Sequence, residues 1–438
     1  FSIDHNDVMQ RRMEEVVDGE YQMYSVSSGE TQRAHWIKGN KELESIMSNL
    51  SDEELKDIKR GGFDHKKLYA AFDNAMKSKG KPTVLLVKTL KGYGLGKGSE
   101  GRNIAHQKKT MSDDERIEIA ERLGIPLSDE DRTLAKFYVP DSNSEEMQYL
   151  HSRRKELGGY QPIRFNSCEK LKAPDIELFD DFVNGVDRSI STTLVLVRMI
   201  SKMLREEDIG KYIVPIVPDE ARTFGMDGLF SQTGIYSPEG QNYQPVDAGT
   251  ISPYKEAKDG QILQEGICEA GAMASFMAAG TAYSHFELPM IPFYIFYSIF
   301  GFQRVGDMIW ACGDALTRGF LIGGTSGRTT LNGEGVQHQD GHSHVLASVV
   351  PNLMTYDPAF GYELAVIVRE GIRRMYQEQE DIFYYITVYN ENYTHPPIND
   401  VTQDSILKGM YCFKRASKDL EDKYQGEPIH LLGSGSIM

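Results

Sequence analysis

Between residues 190 and 388, short apolar runs alternate with longer segments in which apolar residues recur at helical spacing. Such runs, rich in β-branched and aromatic residues, are typical of strands buried in a parallel sheet. Alternating strands and helices therefore predict an α/β fold, with a mostly parallel sheet covered by helices on both faces. The predicted strands are 211–218, 289–297, 319–325 and 382–388, and the predicted helices are 190–205, 263–280, 300–316 and 359–376.

A shorter unit of the same kind precedes this region. Apolar residues recur at helical spacing from Lys66 to Lys79, and the run TVLLVK at 83–88 has the pattern of a buried parallel strand. A loop rich in glycine and lysine follows, at the end of the strand where open α/β sheets place their sites. The string GYGLG in this loop lacks the spacing of a dinucleotide-binding motif. The charged stretch from 112 to 185 is predicted to connect two domains irregularly.

Composition narrows the functional classes. The 438 residues carry a net charge of −16 at pH 7, which argues against nucleic acid or an anionic membrane as a partner. No apolar run approaches the length of a membrane span. The four cysteines form neither a disulfide framework nor a CxxC pair, which favours a cytoplasmic protein. The chain begins at Phe1 and stops at Met438, after the strand-like run IHLLGSGSI, so both ends are expected to be cut.

Polar residues follow the predicted strands of the second region. Asp219 and Glu220 come directly after the first strand, and His338, His342 and His344 lie in a glycine-rich loop after the third. Three imidazoles at this spacing could bind zinc. The surrounding glycines favour instead a backbone that approaches a ligand closely, with at least one histidine serving only the structure of the loop.

Two carboxylates interrupt the small and apolar residues of the segment GQILQEGICEAGAMASFMAAG. Glu265 and Glu269 are four residues apart in this predicted helix, and an unpaired buried charge would cost several kcal/mol. The simplest interpretation is that both lie at the edge of the helix and reach water. The alternative is that one of them serves a binding site.

Five segments carry a resemblance that decides between these interpretations: PDEARTFGMDGLF, GQILQEGICEAGAM, IPFYIFYSIFGFQRVGD, FLIGGTSGRTTLNGEGVQHQDGHSH, and KTLKGYGLG with EGRNIAHQ. Together they resemble the homodimeric dehydrogenase component of the bacterial pyruvate dehydrogenase complex, a thiamine-diphosphate enzyme of the transketolase superfamily. The likeness runs from about residue 15 to the end. Proteins of this family are about twice as long, and the chain resembles their middle half.

This resemblance implies a thiamine-diphosphate-binding fold in three parts. These are the end of a diphosphate-binding domain with a linker (1–168), a pyrimidine-binding domain (169–398) and the first strand of a carboxyl-terminal domain (399–438). The implied activity is the decarboxylation of pyruvate, with transfer of the acetyl unit to the lipoyl group of a dihydrolipoyl acetyltransferase partner. A cofactor between two subunits implies a homodimer.

Three alternatives to this activity stay open. One is the decarboxylation of another 2-oxo acid. A transketolase is the second, although it would need basic residues for sugar phosphates near His338, and QHQDGHSH has none. The third is a fragment without activity that serves only as an interaction module.

The resemblance also assigns residues to the cofactor. Glu269 matches the glutamate that shares a proton with the aminopyrimidine ring, so that the thiazolium carbon becomes a nucleophile. Ile267 matches the apolar wedge that bends the cofactor, and Phe300 matches an aromatic residue against the pyrimidine. Tyr297 corresponds to a tyrosine that faces the substrate pocket. Glu265 matches none of these positions and is expected to be structural.

Further residues are assigned outside the pyrimidine contacts. By the same resemblance, His338 contacts the bound substrate or the intermediate, and His106 belongs to a mobile loop that serves acetyl transfer to lipoamide. Asp219 is expected in the substrate pocket, and Glu220 and Lys91 near the cofactor. In the segment RGGFDHKK the chain departs from the family, which has a histidine in place of Phe63 and a proline in place of His65.

Magnesium is the expected metal, but the chain lacks the family's motif for it. The family holds magnesium and the diphosphate with a G-D-G motif and an asparagine about thirty residues later. The segment VVDGEYQ imitates this motif, with Asn49 at a similar distance, but Val17 replaces the first glycine and a charged helix precedes it. The magnesium ligands are therefore expected upstream of Phe1, and the isolated chain is expected to be inactive.

Overall fold

The computed structural model describes residues 4–58, 61–160, 164–218, 221–328, 334–399, 401–423 and 429–438. The chain divides into two compact units, an amino-terminal unit (Phe1–Gly159) and a carboxyl-terminal unit (Tyr160–Met438).

Among the described residues of the amino-terminal unit, every regular element is a helix or a helical turn. Polar caps start several of its helices: Ser51 with Glu54, and Ser112 with Glu115, form reciprocal capping boxes. Its helices are α1 (Val8–Glu15), α2 (Asp18–Val26), α3 (Gly29–Ile37), α4 (Lys41–Met47), α5 (Asp52–Asp57), α6 (His65–Lys77), α7 (Asp113–Arg122), α8 (Asp129–Thr133) and α9 (Glu145–Glu156).

The prediction of a buried strand at 83–88 is wrong. These residues form no regular element, and the side chains of Val84 and Leu86 are 80% and 94% exposed. A parallel strand exists only where neighbouring strands accept and donate its backbone hydrogen bonds. Among the described residues of this unit there is no strand to do so, and the apolar run is exposed instead.

The charged stretch from 112 to 185 is also more regular than predicted. Serines at 112, 128 and 144 accept hydrogen bonds from the first turns of α7, α8 and α9, and acidic residues fill those turns. Acidic side chains at a helix amino terminus are favoured by the helix dipole. The boundary between the two units falls inside this stretch, after Gly159.

A six-stranded parallel sheet forms the centre of the carboxyl-terminal unit. Its order is β5-β2-β6-β7-β9-β8, and there are two further two-stranded sheets, β1-β10 and β3-β4, of which the second contacts the main sheet beside β5. The strands are β1 (Val186–Ile190), β2 (Ile213–Val217), β3 (Ile235–Tyr236), β4 (Glu256–Ala257), β5 (Leu263–Gln264), β6 (Ile291–Tyr297), β7 (Phe320–Gly324), β8 (Leu353–Tyr356), β9 (Phe383–Thr387) and β10 (Tyr393–His395).

Every residue of β2, β7 and β9 is buried. Because successive residues of a strand point to opposite faces, both faces of the sheet must be covered, as predicted. Helices α13 and α15 contact each other and β6, and α11 and α17 form another contacting pair. The helices of this unit are α10 (Asp180–Val183), α11 (Thr192–Met203), α12 (Asp227–Gln232), α13 (Glu269–Gly280), α14 (Ala282–Phe286), α15 (Ser298–Asp314), α16 (Ser343–Ala347), α17 (Gly361–Ile372), α18 (Gln403–Leu407) and α19 (Lys418–Lys423).

The predicted strands and helices of this region are thus present, with ends shifted by a few residues. The helix predicted to start at residue 263 begins only at Glu269, because β5 and a bend precede it. Among the described residues, the structure has no helix that is long and apolar enough to cross a membrane.

The described part of the segment after residue 399 does not contain the expected final strand. Leu431 and Leu432 are 93% and 80% exposed and belong to no strand of the described residues. Instead, the segment is tied to the main sheet at Asp357, just beyond β8. The Ser434 hydroxyl donates to the Asp357 carboxylate (2.7 Å), and the Gly435 amide donates to its carbonyl (3.2 Å).

Candidate functional site

The carboxyl ends of the parallel strands place one group of aromatic residues at the same edge of the sheet. β6 ends at Tyr297 and α15 starts at the next residue, so its first turn presents Phe300 beside that strand end. The ring centroids of Tyr297 and His338 are 4.8 Å apart, and those of Phe300 and His338 are 5.3 Å apart. The structure therefore brings together three residues that the sequence places up to 41 positions apart.

A fourth ring closes this cluster from the loop after β2. Phe224 is 1% exposed, and its centroid lies 5.4 Å from that of Tyr297. Gly324, the last residue of β7, permits this approach, since a Cβ there would lie 2.5 Å from the Phe224 ring. Asp219 and Glu220, at the start of the same loop, lie outside the described residues.

Glu269 is the first residue of α13, at the same edge of the sheet. Its side chain is only 11% exposed, and its carboxylate forms an ion pair with the guanidinium of Arg304. That guanidinium also lies over the Phe300 ring, 3.9 Å from the centroid. Glu269 is therefore not a glutamate that merely reaches water at a helix edge. Its nearly buried charge is paired, and the pair is stacked against the aromatic cluster.

Glu265 has different surroundings. It lies in the bend before α13, is exposed, and accepts a hydrogen bond from the Ser275 hydroxyl, nearly two turns into the helix. Such a bond ties the bend to the helix, which is a structural role. The two glutamates of this segment thus separate into one at the aromatic cluster and one at the rim.

Ile267 lies between these two glutamates. Its side chain is 69% exposed, which is unusual for an isoleucine in a unit with a well-packed core. Gly266 before it adopts a positive φ of 79°, and the Cys268 amide donates to the Gly266 carbonyl (2.6 Å). This tight bend presents the apolar side chain of Ile267 outward, two residues before Glu269.

His338 has a free nitrogen. Its Nδ1 is buried and has no hydrogen-bond partner among the described residues. A buried polar atom normally has a partner, so this nitrogen is open to hydrogen bonding by a group at the end of the sheet. Its ring rests against Tyr297 and Phe300, so the free nitrogen belongs to the aromatic cluster.

Asp340 holds the loop that carries His338. Its buried carboxylate accepts hydrogen bonds from the amides of His342 and Ser343 (both 3.1 Å) and from the Ser343 hydroxyl (2.5 Å). Its own amide donates to the Gly327 carbonyl (3.0 Å). Burial acts to raise the pKa of Asp340, but these hydrogen bonds outweigh burial and hold the pKa below its ordinary value.

The other two histidines of the loop are placed differently. The Nε2 of His344 lies 2.8 Å from the Thr387 hydroxyl, and burial lowers the pKa of this imidazole. His344 is thus a satisfied structural residue, as expected for at least one of the three. His342 is exposed, with its Nδ1 3.9 Å from the Asp340 carboxylate. Within the described ranges, no group of three or more histidine, cysteine or acidic residues could hold a metal ion.

Backbone strain occurs at the same strand ends. Thr325, directly after β7, adopts a φ of 51° although it is β-branched, and it is 1% exposed. A β-branched residue rarely adopts the left-handed region, and strained residues are concentrated at functional sites. The next amide, of Ser326, donates to the Val388 carbonyl (3.0 Å) and holds this turn against the end of β9.

Lys91 and His106 lie in the amino-terminal unit. Both line a groove of about 520 Å³ together with Asn103, Ile104 and Gln107. His106 ends a short 3₁₀ turn, Asn103–His106, and is exposed. The Gly101 amide donates to the Lys91 carbonyl (2.9 Å), which closes the glycine-rich loop and brings the two side chains to one groove.

Three residues of the site were not predicted from the sequence: Arg304, Phe224 and Asp340. Arg304 follows Phe300 by four positions, so its contact with that ring could have been found from helical spacing. Its pairing with Glu269 spans 35 positions and requires that α13 and α15 be neighbours. Phe224 and Asp340 carry no local signal, because their contacts come from loops at different strand ends.

Comparisons with known proteins agree with this architecture. Residues 174–396 match the family model of the pyruvate dehydrogenase E1 component middle domain. Relatives named pyruvate dehydrogenase E1 component are 51% identical in Pseudomonas aeruginosa PAO1 and 49% identical in Escherichia coli K12. These alignments cover 100% and 97% of this chain but 49% and 48% of the relatives. The chain therefore spans about half the length of the curated relatives it matches.

Solved structures extend the likeness at the level of the fold. A transketolase variant from Pichia stipitis matches with a TM-score of 0.53 at 16% identity, over 81% of this chain and 49% of that one. A second variant matches with a TM-score of 0.52 at 14% identity, over 91% and 57%. At 16% and 14% identity these matches support a transketolase-like fold but not a shared activity. The family model, in contrast, covers the sheet and the aromatic cluster, and the chain belongs to the pyruvate dehydrogenase E1 component family.

Proposed function

We propose that the chain is part of an enzyme that decarboxylates pyruvate on thiamine diphosphate. The acetyl unit then passes to the lipoyl group of a dihydrolipoyl acetyltransferase. One observation carries this proposal: the Glu269 carboxyl, the Phe300 ring and the unpartnered Nδ1 of His338 meet at the carboxyl ends of the parallel strands. The membership of the chain in the pyruvate dehydrogenase E1 component family supports it.

The residues present fit the pyrimidine half of this cofactor. An aminopyrimidine is a flat ring with hydrogen-bonding groups on its edge, and it needs a carboxyl group beside that edge and an aromatic face against the ring. Glu269 and Phe300 offer both, and the same two side chains already hold the flat, hydrogen-bonding guanidinium of Arg304. The exposed Ile267 adds an apolar surface close to Glu269 in the chain.

Thiamine diphosphate, when bound, supplies a nucleophilic carbon that accepts a 2-oxo acid and stabilises the loss of its carboxylate. Glu269 would exchange a proton with the ring nitrogen of the pyrimidine, and its nearly buried position keeps water from competing for that proton. Phe300 would orient the ring by stacking, and Ile267 would hold it bent. Tyr297 and His338 would face the substrate, with the free Nδ1 of His338 available to hydrogen-bond it.

The transfer of the acetyl unit involves the amino-terminal unit in this proposal. His106 would receive the lipoyl group in the groove that it shares with Lys91, and its exposure supports access by a partner protein. Asp219 would line the substrate pocket, and Glu220 and Lys91 would lie near the cofactor. Magnesium as the metal, a homodimer and a cytoplasmic location complete the proposal.

The substitution Glu269→Gln tests this assignment, in a cofactor-loaded enzyme that contains this sequence. An amide cannot exchange the proton that the carboxyl exchanges, so the hydrogen–deuterium exchange of the thiazolium carbon should slow by at least 100-fold. Nuclear magnetic resonance after acid quench measures that exchange. Glu265→Gln is the matched control, because it changes an exposed glutamate four residues away and should leave exchange unaltered. Normal exchange in Glu269→Gln would remove this residue from the mechanism.

A further inference from the structure

The guanidinium of Arg304 occupies both recognition elements of the proposed pyrimidine site at once. It pairs with the Glu269 carboxylate and lies 3.9 Å from the centroid of the Phe300 ring. At this distance the guanidinium and the ring are in stacking contact, and no second flat group fits between them. A ring that is to stack on this face of Phe300 and bond to Glu269 therefore has to displace Arg304.

The position of Arg304 in α15 explains how one side chain reaches both partners. It follows Phe300 by four residues, and side chains at this spacing lie on the same face of a helix. Long side chains in helices also point back towards the amino terminus, which directs the guanidinium over the Phe300 ring. Because α13 packs against α15, the carboxylate at the start of α13 lies within reach of the same guanidinium.

The two members of the pair differ in their access to water. The Glu269 side chain is 11% exposed, whereas that of Arg304 is 46% exposed. Arg304 can therefore turn into solvent while keeping its hydration, but Glu269 cannot. A carboxylate held this close to the interior without a partner would be costly, so Arg304 stabilises the site as long as no other partner is present.

We infer that Arg304 is a side-chain plug that holds the pyrimidine site ready and must swing out when an aminopyrimidine binds. This inference rests on the proposed function, since it takes the Glu269 site to be a pyrimidine site. The affinity for the ring is then reduced by the fraction of molecules in which the plug is in place. An ion pair with one half-exposed member, combined with a cation–π contact, keeps the plug in place in roughly nine molecules of ten.

The substitution Arg304→Met tests the plug through binding rather than activity. Methionine keeps an unbranched side chain but can neither pair with Glu269 nor stack as a cation. The probe is the hydroxymethyl aminopyrimidine half of thiamine, titrated onto the full chain and followed by saturation-transfer nuclear magnetic resonance. Removal of the plug should lower the Kd of the probe by about tenfold. Arg304→Lys, which keeps the charge but not the flat stacking group, should give a Kd between the two.

Arg373→Met is the matched control, because it breaks an arginine–glutamate pair, with Glu370, on a helix elsewhere in the unit. It should leave the Kd unchanged. Circular dichroism shows whether each variant is folded. If Arg304→Met does not fold, the Kd of Arg304→Lys tests the plug in its place. Equal or weaker binding by the Arg304 variants would overturn the plug while leaving the pyrimidine site intact. The absence of saturable binding by every variant would overturn the proposed pyrimidine site, and the plug with it.

Discussion

Asp340→Asn should destabilise the loop that presents His338, although it changes only one atom. The carboxylate of Asp340 is almost completely buried and accepts three hydrogen bonds, two from amides and one from the Ser343 hydroxyl. The same hydroxyl accepts a hydrogen bond from Tyr385 (2.9 Å). The side-chain oxygen of an asparagine can still accept hydrogen bonds from the amides of His342 and Ser343. Its NH₂ group must then face the Ser343 hydroxyl. The serine hydroxyl then receives two donors and loses the acceptor for its own hydrogen.

The magnitude follows from this change in partners. A hydrogen bond to a charged group contributes about 1.5–3 kcal/mol to stability, and a hydrogen bond between neutral groups contributes about 0.5–1.5 kcal/mol. Part of this difference is recovered in the variant, because a neutral amide costs less to bury than a carboxylate. The expected loss in the free energy of unfolding is therefore about 2 kcal/mol. Asp340→Ala, which leaves three donors without an acceptor, should cost more.

Urea unfolding, followed by the near-ultraviolet circular dichroism of the buried tyrosines, measures this loss. The control is Asp404→Asn, which removes the charge of an exposed pair with Lys408 and should cost less than about 0.5 kcal/mol. A double-mutant cycle with Tyr385→Phe should show coupling, since the two side chains share Ser343. If Asp340→Asn costs no more than Asp404→Asn, the buried carboxylate does not hold the loop.

Two further outcomes are expected. In a cofactor-loaded enzyme that contains this sequence, and if the proposed function holds, His106→Ala should spare the decarboxylation of pyruvate, followed with an artificial electron acceptor, but abolish overall complex activity; equal loss in both assays would contradict a role in acetyl transfer. The second outcome is a loss of stability at acidic pH that comes from His395. Burial lowers the pKa of this histidine below its ordinary 6.5, and its Nδ1 accepts a hydrogen bond from the Gly361 amide (2.9 Å). The unfolded chain therefore takes up a proton first as pH falls, so stability should be full above pH 6.5 and decrease below it. Because His344 contributes in the same direction, His395→Gln should reduce this decrease without removing it, and an unchanged pH profile would exclude His395 as a source.

The sequence predicts most strands of the central sheet, because a strand buried on both faces is a continuous apolar run that can be recognised locally. The run ending at Tyr297 is apolar throughout, and the structure buries its residues in the middle of the sheet. By contrast, β8 (Leu353–Tyr356) was missed, since three of its four residues are only partly buried and the strand lies at the edge. Burial on two faces leaves a signal in the residues themselves, and an edge position does not.

The run at 83–88 shows the limit of this local signal. It has the same apolar, β-branched character as β6, yet it lies exposed and unpaired within the described part of its unit. Whether such a run becomes a strand depends on partners far away in the chain, which no local pattern contains. The Glu269–Arg304 pair is the same case at the site: each residue is visible in the sequence, but their contact depends on how two helices pack.

The exposed run also has a consequence for the behaviour of the chain at high concentration. The run TVLLVK contains three β-branched residues and is mostly exposed, and its amides and carbonyls have no strand partner among the described residues. Two copies can satisfy those groups by aligning the same segment, and each added copy offers a fresh edge for the next. Self-association through this segment would then grow steeply with protein concentration and show a lag, as nucleated assemblies do. A segment that can nucleate such assembly thus lies in the amino-terminal unit, far in sequence from Glu269 and the aromatic cluster.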